Sequence, residues 1–159
     1  KNLKIKAIEP NSDAFNKFKN TLNKNKFKNI EVFNFALSDK KNKTKMVSMI
    51  SHSYIHSNST INENINEENN KINTFETSLR VGDILFNFLN KKLFFKIDVE
   101  GHESHVLQGL IKNLTQNKCL ILIEISNEKF SEVNDFLFKN SFKQIFKSKY
   151  RTDYVYTNF

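Results

Sequence analysis

The sequence predicts an α/β fold: a doubly wound sheet, mostly parallel, that ends in an antiparallel hairpin. Strand-like and helix-like stretches alternate along most of the chain, which is the pattern of a parallel sheet covered by helices. Residues 93–99 and 120–125 are almost continuously apolar, as in strands that are buried on both faces. The last two strand-like stretches are joined only by residues 148–153, and so short a link favours an antiparallel pair.

The first elements predict a strand–helix–strand unit. Residues 3–8 alternate between apolar and polar side chains and predict a strand. Asn11 or Ser12 can cap the helix that follows, with Asp13 in its first turn. A second strand is predicted at residues 30–37, so the unit is the building block of a parallel sheet.

The middle of the chain is less regular. Residues 44–50 predict a short strand, and the Ser-, His-, Asn- and Glu-rich residues 51–70 predict an exposed loop or insertion. We expect this polar segment, at about 51–73, to interrupt a single domain that covers residues 1–159. An amphipathic helix then follows from apolar residues at helical spacing: Val81, Ile84, Leu85, Phe88 and Leu89.

The second half of the chain returns to regular alternation. Its predicted elements are strands at 93–99 and 120–125, helices at 106–114 and 130–137, and two closing strands at 142–146 and 154–159. The helix at 106–114 is expected to bury Val106, Leu107, Leu110, Ile111 and Leu114 on one side.

Composition limits the possible partners and compartments. The 25 Lys and Arg residues exceed the 17 Asp and Glu residues and give a net charge of +8. Such a charge suits a nucleic-acid or anionic-membrane partner, but the lysines are scattered and not interleaved with aromatic residues, which favours ordinary solvated faces. A single cysteine, Cys119, excludes an internal disulfide and a zinc ribbon and suits a reducing, cytoplasmic compartment. No apolar run approaches the roughly 20 residues of a membrane-spanning helix.

Carboxylates stand at the ends of three predicted strands, where ligands of open α/β sheets bind. Glu9 follows the first strand, Asp98 and Glu100 follow the third, and Glu124 ends the fourth. This pattern suits a cofactor with ribose hydroxyls and a cationic centre. Glu9 can accept hydrogen bonds from vicinal ribose hydroxyls, or it can be a solvated carboxylate at a strand end.

Residues 98–103 are the most informative stretch. Asp98 and Glu100 leave a strand predicted to be buried, where an unpaired charge is costly, and Gly101 permits an unusual turn. Glu103 either acts in the site or merely caps the next helix. His102 is a candidate base because its ordinary pKa lies near neutrality, or it is a surface histidine.

No metal site is predicted. The pairs His52/His56 and His102/His105 lack a cysteine or a carboxylate set at ligand spacing.

Four segments together resemble the methyltransferases of the FkbM type. They are IEPN at residues 8–11, NFALSD at 34–39, KIDVEGHE at 96–103 with VLQG at 106–109, and the apolar strand that ends in Ile123-Glu124. The resemblance implies a Rossmann-like methyltransferase sheet. It also implies transfer of a methyl group from S-adenosylmethionine to a hydroxyl of a sugar, glycolipid or small natural product.

The resemblance also implies roles for individual residues. Glu9, in a turn stiffened by Pro10, would hold the ribose. Ala36 and Leu37 would flank the adenine, with backbone groups reading its edge. Asp98 would lie near the methionine moiety and the methyl group. The remaining acidic and imidazole groups of the motif would orient or deprotonate the acceptor hydroxyl: Glu100, His102 and Glu103.

The chain also departs from the family pattern. The family has a strand and a glycine-containing loop ahead of the strand that ends in Glu9, and neither is visible here. We therefore expect an N-terminally truncated enzyme whose first strand is missing. The rival hypothesis is a catalytically inactive methyltransferase-like subunit with a binding or structural role.

Overall fold

The computed structural model describes residues 3–51, 54–61 and 72–159, which divide into two compact units, Lys1–Arg80 and Val81–Phe159. The elements along the first half are β1 (Ile5–Ile8), α1 (Ser12–Lys24), β2 (Ile30–Phe33), β3 (Ala36–Ser38), β4 (Asn42–Ser51), β5 (Tyr54–Ile61) and β6 (Ile72–Val81). The elements along the second half are α2 (Gly82–Leu85), β7 (Lys92–Ile97), α3 (Glu103–Gly109), α4 (Ile111–Thr115), β8 (Lys118–Glu124), α5 (Phe130–Lys139), β9 (Lys143–Lys147) and β10 (Asp153–Thr157).

The predicted strand–helix–strand unit opens the first compact unit. β1 and β2 pair in parallel, with Ile5 opposite Ile30 and Ile8 opposite Phe33. Asn11, rather than Ser12, caps α1, because its side chain accepts hydrogen bonds from the N–H groups of Asp13 and Ala14.

The strand predicted at 30–37 is too long, because Asn34 interrupts it. The Asn34 side chain donates to the carbonyls of Glu9 and Pro10, at 2.9 and 3.1 Å, and accepts from the Ser12 hydroxyl at 3.0 Å. A side chain that bonds locally competes with the sheet ladder. The chain therefore leaves β2 at this point and enters a different sheet as β3.

That second sheet has the strand order β3-β6-β4-β5, and β4 pairs antiparallel with both β5 and β6. Residues 54–61 form β5, although they fall within the segment predicted to be a polar loop. Residues 52, 53 and 62–71 lie outside the described part of the chain. Ala36, Met46 and Leu79 form the buried core of this sheet, with Phe75 packed against them.

The second compact unit is built on a sheet of order β7-β8-β10-β9. β7 and β8 are parallel, whereas β10 is antiparallel to both β8 and β9, so the predicted closing hairpin is confirmed. Its core contains large side chains that are fully buried or nearly so: Leu107, Leu114, Ile121, Ile123, Ile125, Val133, Leu137, Phe142, Tyr154 and Tyr156.

The prediction of one doubly wound, mostly parallel Rossmann-like sheet is wrong. The described strands lie in three sheets; β1–β2 and β7–β8 are parallel, whereas β4–β5, β4–β6, β8–β10 and β9–β10 are antiparallel. Antiparallel neighbours can be joined by short connections, as β4–β5 and β9–β10 are. β7 also alternates in exposure, with Phe94 62% exposed, so burial on both of its faces is not observed.

Two helix predictions also require correction. The helix expected from Val81 to Leu89 is only the single turn α2, and Ile84 is 79% exposed. The helix ends here because the Asn113 side chain accepts a hydrogen bond from the Phe88 N–H and donates one to the Phe86 carbonyl. These backbone groups therefore do not continue the helical hydrogen bonds. The helix predicted at 106–114 is divided into α3 and α4. Its apolar side is buried as predicted at Val106, Leu107, Leu110 and Leu114.

Within the described residues, no helix combines the length and the apolar character needed to cross a membrane.

Candidate functional site

Glu9 lies directly after β1 in a braced turn. Its Oε1 accepts a hydrogen bond of 2.9 Å from the Asn11 N–H, and its own N–H donates to the Phe33 carbonyl. Burial raises the pKa of the Glu9 carboxyl, and the bond from Asn11 opposes that shift. The described residues make no other hydrogen bond to this carboxylate, so Oε2 is available to a hydroxyl donor.

Asn34 supports this turn, although no sequence motif predicts that role. By bonding the carbonyls of Glu9 and Pro10 it fixes the backbone that carries the Glu9 carboxylate. Its signal in the sequence is a single asparagine inside the apolar run at 30–37.

Ala36 and Leu37 lie in β3, at the edge of its sheet. The Ala36 side chain is buried against Met46 and Leu79, so it is used for packing. Among the described strands, none pairs with the outer edge of β3, which leaves backbone groups at that edge for hydrogen bonding.

In the second unit, β7 runs into a turn with a rare backbone conformation. Glu100 has φ of +50° and Gly101 has φ of +97°. Glycine tolerates this left-handed region, but glutamate rarely adopts it, and such strain concentrates at functional sites. The turn is closed by the His102 N–H, which donates to the Val99 carbonyl at 3.3 Å.

Four carboxylates gather around this turn, and we call them the acidic cluster: Asp98, Glu100, Glu103 and Glu124. β7 and β8 pair in parallel, with Ile97 opposite Ile123. The residues that follow these two, Asp98 and Glu124, therefore lie at the same end of the pair. Burial raises the pKa of Glu100, and the charges of Asp98, Glu124 and Glu103 raise it further. The negative charge of Asp98 is partly compensated, because Lys96 Nζ lies 2.7 Å from its Oδ2.

Glu103 is the most unusual member of the acidic cluster. It is only 2% exposed, and its Oε1 accepts a 2.8 Å hydrogen bond from the Gly101 N–H. Its Oε2 is buried and has no hydrogen-bond partner among the described residues. A buried carboxylate oxygen without a donor is costly. The first oxygen therefore braces the turn, and the second has no donor in the described part of the chain.

His102 stands at the start of α3, beside the acidic cluster. Its ring stacks on that of His105, with centroids 4.3 Å apart and planes 2° apart. In the described part of the chain, these rings do not join a group of three or more metal-ligating side chains. Of the other histidine pair, His52 lies outside the described residues.

Cys119 is a packing residue. It is fully buried beside the carbonyls of Asn113, Leu114 and Asn117. Burial raises the pKa of the Cys119 thiol to about 11, so it is protonated at neutral pH and poorly suited to act as a nucleophile.

The structure thus brings together Asp98, Glu100, His102 and Glu103 in one unit and Glu9, Pro10, Ala36 and Leu37 in the other. Carboxylates beyond the carboxyl ends of parallel strands are typical of α/β proteins that bind nucleotide-like cofactors.

The chain belongs to the FkbM methyltransferase family. The family described as methyltransferase FkbM domain matches residues 3–146, a span that contains every predicted site residue. The chain is therefore a methyltransferase domain. No curated protein and no solved structure matches it.

Proposed function

We propose that this domain transfers a methyl group from S-adenosylmethionine to a hydroxyl of a sugar, glycolipid or small natural product. The observation that carries the proposal is the acidic cluster on its strained turn, with the buried and unpartnered Oε2 of Glu103. The carboxylates can accept hydrogen bonds from the hydroxyl groups of the molecule that receives the methyl group. Their negative charge also attracts the positively charged sulfonium of the cofactor.

The residues present fit this cofactor by their chemistry. Glu9 offers an oxygen to the ribose hydroxyls from a turn held by Pro10 and Asn34. The open edge of β3 offers the backbone of Ala36 and Leu37 to the adenine. Asp98 offers its carboxylate to the methionine end. S-adenosylmethionine supplies the activated methyl group when it is bound.

The chain's own contribution to the reaction is to orient the acceptor and to receive its proton. Positioning two reactants correctly can supply several kcal/mol of the barrier, roughly 7–11 in the best intramolecular cases. Glu100 is suited to the base role, because a carboxylate with a raised pKa binds a proton more readily at neutral pH. Glu103 and His102 lie next to it and can orient the hydroxyl.

Calorimetric titration of S-adenosylhomocysteine into the protein tests the cofactor half of this proposal. We expect wild type to bind, and Glu9→Gln to bind about 10- to 100-fold more weakly, since a hydrogen bond to a charged group is worth about 1.5–3 kcal/mol. Glu128→Gln is the matched control, because it removes the same charge from an exposed side chain. If wild type and both variants bind equally, Glu9 does not hold the ribose.

The acceptor half is tested by methyl transfer from labelled S-adenosylmethionine to a panel of sugars and glycolipids. Glu100→Gln should lose most of its turnover while it still binds S-adenosylhomocysteine. A protein that binds neither cofactor nor acceptor would instead be an inactive methyltransferase-like subunit with a binding or structural role.

The buried thiol of Cys119 suits a reducing compartment such as the cytoplasm.

A further inference from the structure

A cleft opens in the second unit beside the acidic cluster. Its volume is about 600 Å³, within the usual range for small-molecule sites. Its lining comes from the end of β8 and from the β9–β10 hairpin, and includes Glu124, Lys147, Lys149, Arg151, Thr152 and Tyr154.

The hairpin wall of the cleft is braced by hydrogen bonds. The Ser148 N–H donates to the Asp153 carbonyl, and the Ile125 N–H donates to the Thr152 carbonyl, each at 2.8 Å. The Thr152 hydroxyl also donates to Glu124 Oε1 at 2.9 Å. These bonds join the hairpin link to the end of β8, so the cleft is part of the folded sheet.

The same wall carries three cations: Lys147, Lys149 and Arg151. None of them forms an ion pair with a carboxylate of the described residues. Lys147 Nζ lies over the rings of Phe130 and Tyr154, at 5.7 and 5.4 Å from their centroids, so aromatic faces hold it in place. The three cations outnumber the one carboxylate of the lining, Glu124, so the cleft carries an excess of positive charge.

Glu124 joins the cleft to the acidic cluster. It lines the cleft, and it also follows the residue that pairs with Ile97 at the end of β7. Its charge contributes to the raised pKa of Glu100, which requires the two carboxylates to be close. A molecule in the cleft can thus contact the cations of the hairpin and the carboxylate of Glu124.

We propose that this cleft binds an oxyanion of the methyl acceptor, so that the acceptor is an acidic, hydroxyl-bearing molecule such as a sugar acid or a sugar phosphate. This inference rests on the proposed function, because it concerns the molecule that receives the methyl group. Arg151 offers a planar pair of donors that suits carboxylate, sulfate and phosphate oxygens, and the two lysines add charge. Hydroxyl groups on the same molecule would face Glu124.

Titration of the isotope-labelled protein, followed by amide NMR, tests the proposal with three probes of similar size: glucuronate, glucose 6-phosphate and uncharged glucose. The two acids should shift the amide signals of residues 147–152, and glucose should not. Because the binding is electrostatic, the affinity should fall as the salt concentration rises. The two acids distinguish a carboxylate acceptor from a phosphate acceptor.

A pair of double variants locates the charge. Lys149→Gln with Arg151→Gln removes two exposed cations of the cleft. Lys139→Gln with Lys143→Gln removes two exposed cations elsewhere in the same unit. We expect the first pair to weaken acid binding about tenfold and the second to change it less than about twofold, since the cleft cations contact the acid and the others do not.

The proposal is overturned if both double variants bind the acids equally, if the shifts map outside residues 147–152, or if the acids cause no shifts up to their solubility limit. Binding of S-adenosylhomocysteine, measured separately, distinguishes this failure from that of the proposed function. Cofactor binding without acid selectivity rejects the cleft alone. Acid selectivity without cofactor binding rejects the enzyme and retains the anion site.

Discussion

Replacing Glu103 by glutamine should separate stability from function. In the wild type, Oε1 accepts from the Gly101 N–H at 2.8 Å, while Oε2 is buried without a donor. The Glu103→Gln substitution keeps an oxygen for the Gly101 N–H and replaces the charged Oε2 by an uncharged amide group. It also removes one of the like charges that act on Glu100.

The expected magnitude follows from the cost of the unpartnered oxygen. A buried polar group without a partner costs about 1–3 kcal/mol. Since the new amide group recovers only part of this, we expect Glu103→Gln to stabilise the ligand-free protein by about 1 kcal/mol. For a chain of this size that corresponds to a rise of roughly 2–4 °C in melting temperature.

Glu103→Ala is the informative contrast. It removes the bond to Gly101 as well as the free oxygen and leaves a small cavity under the turn. We expect it to destabilise the protein by about 1–3 kcal/mol. Urea unfolding followed by circular dichroism gives the free energies, with Glu128→Gln as a control that should lie within about 0.5 kcal/mol of wild type.

Methyl transfer measured on the same proteins gives the functional half of the prediction. Glu103→Gln should be more stable than wild type and less active. The reasoning is refuted if Glu103→Gln loses as much stability as Glu103→Ala, because Oε2 would then already have a favourable environment in the free protein.

Three further predictions concern residues outside that contrast. Asn113→Ala should lower the free energy of unfolding in urea by about 3 kcal/mol, because the buried Asn113 side chain makes hydrogen bonds to Asp83 and to the backbone around Phe86. The control Asn16→Ala, at an exposed position, should lower it by less than about 0.5 kcal/mol, and equal losses would contradict the role of Asn113. The Cys119 thiol, whose pKa burial raises to about 11, should react with a thiol reagent at pH 8 only after urea is added, so rapid labelling of the folded protein would count against it. Burial raises the pKa of Glu9, so the folded state binds the proton more tightly than the unfolded state, and stability is lost as pH rises from the ordinary carboxyl pKa through the raised one. Glu9→Gln should therefore gain stability relative to wild type as pH rises above the ordinary carboxyl pKa, and a difference that does not change with pH would refute the shift.

The features that the sequence predicted correctly depend on local interactions. The cap of α1 needs only Asn11 and the next three residues, and the helix α5 needs only the apolar residues at helical spacing that include Val133 and Leu137. The closing hairpin follows from two strand patterns and a short link. Capping, periodicity and turn length all act over a few neighbouring residues, so a single sequence contains them.

Which strands pair within one sheet cannot be predicted from such local interactions. One apolar run, residues 30–37, supplies β2 to one sheet and β3 to another, because Asn34 bonds the turn after β1. The alternation of strands and helices that predicts a parallel sheet belongs to strands whose pairing is mostly antiparallel. A strand pattern specifies an extended backbone, whereas its hydrogen-bond partner lies far away in the chain.

The candidate site shows the same division. The sequence by itself determined that carboxylates follow the strands at Glu9, Asp98 and Glu124, and its motifs identified the methyltransferase family that the match over residues 3–146 shows. Only the tertiary structure decided that Glu103 is buried with one oxygen unpartnered, and that the cations of the β9–β10 hairpin line a cleft shared with Glu124. The physical reason is that residue type and order specify which chemical groups are present, whereas burial, desolvation and the meeting of charges depend on contacts between elements that are distant in sequence.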